Sequence, residues 1–180
     1  MIAVAARKHC VNRLVGCGVR ARLCCAVTGL GMLISACAAP PAASVEVGFR
    51  NPTAPIGGTS RFDKARFSGD WSTVACLGTC ATEVRYVVAT DDVFVRQAEG
   101  QDTPYLISAP GVLRQMGGDE TLVVMWIDEG FRTAAIGDAD GRWAAILNRN
   151  RKAARDRITA ATEILDFNGW DVAKLRKVEG

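Results

Sequence analysis

Residues 67–77 read Phe-Ser-Gly-Asp-Trp-Ser-Thr-Val-Ala-Cys-Leu, and the run near 68–77 sets the frame for the rest of the chain. Residues two apart on a strand share a face, so Trp71, Thr73, Ala75 and Leu77 are expected to line up together. Seven further runs rich in β-branched and aromatic residues follow, near 82–89, 92–98, 103–109, 111–116, 120–127, 131–137 and 142–149. The connections carry turn chemistry: Asp91-Asp92, Pro110-Gly111, Gly117-Gly118-Asp119, Asp128-Glu129-Gly130 and Asp138 to Gly141. Links this short make consecutive strands antiparallel neighbours. Eight such strands can close into a barrel just wide enough for one small ligand, and closure removes exposed strand edges. The expected fold is all-β, an eight-stranded up-and-down antiparallel barrel.

After residue 150 the apolar period changes. Between Ala153 and Phe167, Ile158, Ala161, Ile164 and Leu165 recur at three- to four-residue spacing, which predicts one apolar helical face. Arg151, Lys152, Arg155 and Arg157 lie at the unfavourable end of that helix dipole, Asp156 is a local capping candidate, and Asn168-Gly169 supplies a left-handed stop. The expected arrangement is one C-terminal α-helix packed outside the barrel wall, with residues 172–178 returning as a short strand.

Gly69-Asp70-Trp71 resembles the G-x-W of the first lipocalin strand, and Ile146-Leu147-Asn148-Arg149 before a helix resembles the third lipocalin block. The tail Ile164-Leu165-Asp166-Phe167-Asn168-Gly169-Trp170-Asp171 resembles the bacterial outer-membrane lipocalin branch. The resemblance covers roughly residues 60–178. It departs from the family at Ser72 and Thr73, where an aromatic and an acid are common, and at the second block, echoed only by Asp128 and Phe131. It implies that Gly69, Trp71 and Arg149 close one end of the barrel, with the guanidinium over the indole. Such a contact is worth on the order of 2 kcal/mol when desolvated. It also implies that Thr73, Ala75, Leu77, Trp143, Ala145 and Leu147 point inward and line a ligand site. The same stripe in a filled barrel would be ordinary core.

Residues 23–34 form a short apolar run behind a cationic stretch and lead into Ile34-Ser35-Ala36-Cys37. As a helix that run spans under about 20 Å, short of the roughly 30 Å hydrocarbon core, so it reads as a secretory signal and not a lasting span. Ile34 to Cys37 resembles the bacterial lipobox. The resemblance implies cleavage before Cys37 and acylation of its thiol and new amino group, a membrane anchor through N-terminal acyl chains. An ordinary secretory signal with an incidental cysteine is the alternative. The basic stretch is long for a signal, and a start downstream of Met1 would shorten it. Ala38, where Asp favours inner-membrane retention, implies the periplasmic face of the outer membrane of a Gram-negative bacterium. The expected organisation is a signal at 1–36, an acylated Cys37 with a flexible tether at 37–59, and the barrel with its helix at 60–180. Cys76 and Cys80 are left as a candidate disulfide or two free thiols. A bond between them requires a tight turn at Gly78.

The 180 residues are 49% apolar and 23% charged, enough for one domain. Five of the 22 cations precede residue 37 and none of the 19 carboxylates does, so the remainder is two charges negative. That balance offers no footprint for nucleic acid or anionic lipid. The one histidine, His9, lies in the leading stretch, which excludes Ser-His-Asp and Cys-His catalysis and a histidine-rich zinc site downstream. Asp91-Asp92 and Asp128-Glu129 fall at turns, where carboxylates are solvated or cap backbone N–H groups. No catalytic residue, metal or cofactor is expected. The leading expectation is a membrane-anchored carrier or store for a hydrophobic small molecule or lipid, a fatty acid or lysophospholipid, without covalent chemistry. The alternative is an envelope interaction or stress-protection module whose barrel is filled.

Overall fold

The computed structural model describes residues 48–178. Eight strands run in chain order: β1 Gly69–Leu77, β2 Glu83–Val88, β3 Val93–Ala98, β4 Gln101–Ala109, β5 Val112–Gln115, β6 Thr121–Ile127, β7 Thr133–Asp138 and β8 Ala144–Asn148. Each pairs antiparallel with the next, and β1 pairs with both β2 and β8, so the sheet closes into a barrel. The helix α2, Arg155–Phe167, packs outside against β6, β7 and β8. It buries Ala161 and Leu165 in an outer core with Ala75, Leu77, Val123, Met125, Ile146 and Trp170. Asp156 makes no cap, because Ala154 stands at the N-cap, while Gly169 ends the helix with φ +86°. The returning tail is shorter in strand than expected. A 3-10 turn at Val172–Lys174 precedes β9, Arg176–Lys177, which pairs with β1.

One end of the barrel is plugged. Asp63 caps a four-residue helix α1, Lys64–Phe67, through its carboxylate and the Arg66 N–H, and α1 pushes Phe67 into the lumen against Trp71 and Tyr86. Strand β1 must then start directly under the plug. Gly69 makes this turn at φ +100°, and a Cβ there would lie 3.2 Å from an Arg149 guanidinium nitrogen. The position therefore needs glycine on two independent grounds.

Two expectations are corrected. The part of the tether that is described, residues 48–59, lies packed along the barrel. The Phe49 N–H donates to Gly141 O, the Asn51 N–H to Gly169 O and the Thr59 N–H to Val124 O, while Phe49 and Ile56 pack on the outer core. Its Ala, Pro and Gly composition favours open chain, but three backbone bonds and two apolar anchors outweigh that preference. The signal, Cys37 and the first part of the tether lie outside the described residues.

The second correction concerns β1. Its partners on β8 shift between Thr73, opposite Leu147, and Ala75, opposite Ile146, which marks a bulge at Val74. One extra residue reverses the facing of everything beyond it. Trp71 and Thr73 point inward, whereas Ala75 and Leu77 point outward into the outer core and Cys76 takes the inward position opposite Ala145.

Candidate functional site

The closed end is held by Arg149. Its guanidinium carbon sits 3.8 Å from the Trp71 ring centre. Its nitrogens donate to Phe131 O at 3.1 Å, Asp70 O at 3.1 Å, Arg66 O at 2.7 Å and Phe67 O at 3.2 Å. Burial holds this guanidinium below its ordinary value, with Asp70 acting the other way. Trp71 Nε1 donates to Phe67 O, so ring, plug and arginine form one unit. Beside it, burial pushes the Asp128 carboxyl up. The N–H groups of Thr133 and Arg132 and the Arg132 guanidinium outweigh that and hold it below the usual carboxylate range. Asp128 thus ties the turn between β6 and β7.

Above the plug the lumen is filled. Phe67, Trp71, Tyr86, Phe94, Tyr105, Leu113 and Leu122 are each 0–1% exposed, and Tyr86 stacks on Phe94 with ring centres 5.5 Å apart. Ala145 and Leu147 belong to this inner core. Thr73 is buried too, its hydroxyl donating to Ala81 O. These inward residues surround packed aromatic side chains rather than open space.

Toward the open end the lining changes character. Arg96 follows Phe94 by two residues and so also points inward, opposite Tyr86 across the β2–β3 pair. Tyr105 donates its hydroxyl proton to Glu120 Oε2, and Trp143 Nε1 donates to Glu120 Oε1 at 2.8 Å. Both oxygens of Glu120 are thereby engaged. The Arg96 guanidinium carbon lies 5.6 Å from the Trp143 ring centre. Burial pushes the Tyr86 hydroxyl up to about 12 even with Arg96 beside it, and burial together with the bond to Glu120 pushes Tyr105 higher still. Both phenols are neutral donors at physiological pH. Tyr86 Oη and Arg96 Nε are buried, neither makes a hydrogen bond of good geometry among the described residues, and the Arg96 guanidinium lies close enough to the phenol to pull its value down. A buried donor left without a well-formed hydrogen bond costs about 1–3 kcal/mol, and an acidic oxygen beside this pair would accept from both.

Of the expected ligand-lining residues, Thr73, Trp143, Ala145 and Leu147 face inward, and Ala75 and Leu77 do not, because of the bulge. Tyr86, Arg96, Tyr105 and Glu120 were not anticipated. Their signal was present as Tyr86 in phase with Val84 and Val88, and as Arg96 in phase with Phe94. A cation on an otherwise apolar face is unusual enough to mark a site.

Cys76 and Cys80 are joined in a disulfide with Cα atoms 6.1 Å apart. Gly78 makes the turn at φ +73°, where a Cβ would come within 2.6 Å of Arg142 O. Among the described residues, no three His, Cys, Asp or Glu side chains gather to hold a metal ion, and no helix is long and apolar enough to cross a membrane.

No family model matches the chain, and no curated protein matches it. Among solved structures, the chain is similar to the siderocalin Ex-FABP, described as functioning through dual ligand specificities, at 15% identity and TM-score 0.48 over 64% of this chain and 95% of that one. It is also similar to lobster apocrustacyanin A1, at 14% identity and TM-score 0.49 over 66% of this chain and 80% of that one. Apocrustacyanin C1 aligns at 14% identity and TM-score 0.47 over 69% of this chain and 91% of that one.

Proposed function

We propose that this barrel binds a small amphiphile with an acidic head group, a fatty acid or lysophospholipid, and carries or stores it reversibly at a membrane. The observation that carries the reading is the buried Tyr86 hydroxyl and Arg96 guanidinium, side by side toward the lumen on neighbouring strands with no well-formed hydrogen bond to either among the described residues. A carboxylate or phosphate oxygen placed between them would accept from both, and hydrogen bonds to a charged group are the stronger kind. The closed half is packed, so the apolar part of the ligand lies toward the mouth against Ala98, Trp143 and Cys80. No covalent step is part of the proposal, since Cys76 and Cys80 are bonded to each other and offer no thiolate. Acylated Cys37 would supply the tether, on the periplasmic face of the outer membrane.

A second reading, the filled-barrel interaction or stress-protection module, draws support from the packed closed half. One titration separates the two. Trp143 stands at the mouth, so its emission should change saturably with a long-chain fatty acid or lysophospholipid, at one ligand per barrel. Replacing Arg96 with Gln should weaken the acid about tenfold or more while leaving the alcohol of equal length nearly unchanged, in line with a charged hydrogen bond of about 1.5–3 kcal/mol. Emission that ignores every amphiphile at every chain length favours the filled module.

A further inference from the structure

Two basic runs far apart in sequence meet on one side of the barrel. Residues 151–157 hold Arg151, Lys152, Arg155 and Arg157, residues 174–177 hold Lys174, Arg176 and Lys177, and Asp156 is the one carboxylate in either run. Strand β9 brings the second run to β1 by pairing Lys177 with Ala75, and α2 starts beside it. Between them lies a cleft of about 520 Å³ whose floor is Val74, Ala75 and Ile158 and whose rim carries Lys152, Arg155 and Lys177. Arg151, also on this rim, is engaged by Glu83 at 2.8 Å, and Lys174 by Asp171 at 2.9 Å. Lys152, Arg155 and Lys177 are exposed and form no ion pair among the described residues. Arg157 and Arg176 turn away to Thr133 Oγ1 and Gly78 O, so the chain after residue 37 is negative as a whole while this rim carries those three unpaired cations.

We propose that this cleft docks the protein on an anionic phospholipid surface, with lipid phosphates on the Lys152, Arg155 and Lys177 rim and the apolar floor facing the acyl boundary. Charge complementarity selects an anionic partner. The apolar floor selects a surface whose charge lies directly over hydrocarbon, which is a bilayer interface. Nucleic acid is the poorer fit, because no aromatic side chain lines the cleft to stack a base. The N-terminal end of a 13-residue helix without a side-chain cap adds its partial positive charge at the same place. An acylated Cys37 would keep a bilayer within about 40 Å of Gly48, the reach of the intervening chain, but the cleft itself requires no anchor.

The test is hydrogen exchange on the full chain mixed with vesicles of phosphatidylcholine alone or with phosphatidylglycerol, read peptide by peptide. The expected result is added protection of residues 151–158 and 174–178 with the anionic vesicles only, lost in high salt. The triple substitution Lys152→Glu, Arg155→Glu, Lys177→Glu should weaken that protection tenfold or more. Neutralisation of the same three residues to Gln should weaken it less, and neither variant should alter the exchange of the inner barrel strands. Protection confined to the leading segment, equal protection by both vesicle types, or stronger protection by duplex DNA than by anionic vesicles overturns the proposal. Loss of amphiphile binding in the lumen leaves it intact, because the two sites share no residue.

Discussion

Arg149 lies over the Trp71 indole and at the same time donates to main-chain oxygens of Arg66, Phe67, Asp70 and Phe131. One planar cation thereby joins the plug helix, the start of β1 and the turn before β7. A lysine has a point charge and no fork, and cannot serve these four carbonyls together.

The first expectation follows directly. Trp71→Ala should cost about 3–5 kcal/mol as a buried aromatic truncation, and Arg149→Lys should also destabilise, although it keeps the charge. Urea unfolding followed by circular dichroism measures both. Midpoints within experimental error of the wild type would show that the plug does not depend on this pair.

The bulge at Val74 makes a facing-specific prediction. Leu77→Ala should lower stability by about 2–5 kcal/mol, because it opens a hole in the outer core, and should leave amphiphile affinity alone. Ala145→Trp should instead overpack the filled lumen and cost about 1–3 kcal/mol. Paired unfolding and binding titrations of the two variants check this, and a Leu77→Ala effect on binding without loss of stability would place Leu77 inside.

Asp128 gives a pH signature. Its folded carboxyl titrates below the ordinary range, so the unfolded chain takes up the proton first as pH falls. The stabilisation is fully present above the unfolded value of about 3.9 and is lost as pH drops from there through the folded value. Wild type should therefore lose more stability between pH 6 and pH 3 than Asp128→Asn does, with all other carboxylates common to both. Equal losses would mean that the Thr133 and Arg132 N–H groups do not hold the charged form.

The disulfide closes a short loop, with a sequence separation of 4. Loop-closure entropy for so small a ring gives about 2 kcal/mol, so reduction should lower the unfolding free energy by about that much without opening the barrel. Peptide mapping after alkylation in denaturant should find Cys76 and Cys80 unlabelled until a reductant is added.

The sequence by itself determined the strand count, the closing order and the outer helix. Those features rest on local signals: period-2 runs punctuated by turn residues such as Pro110-Gly111 and Gly117-Gly118, then a period-3.6 stripe from Ile158 to Leu165. The Gly69, Trp71 and Arg149 set was legible only through the resemblance of Gly69-Asp70-Trp71 and Ile146 to Arg149 to a known pattern. Tertiary structure alone decided which way each side chain faces beyond Val74, because a bulge inserts one residue without any compositional mark and reverses every later position on the strand. It also decided that residues 48–59 pack, through backbone bonds to Gly141, Gly169 and Val124 that no local propensity encodes. Tyr86, Arg96 and Tyr105 come from three different strands and Glu120 from the connection before β6, so their meeting depends on cross-strand register. Net charge is a sum over the chain and carries no positions. The basic face made by residues 151–157 and 174–177 exists only because β9 returns to β1, and the electrostatic field a partner meets depends on that placement and not on the sum.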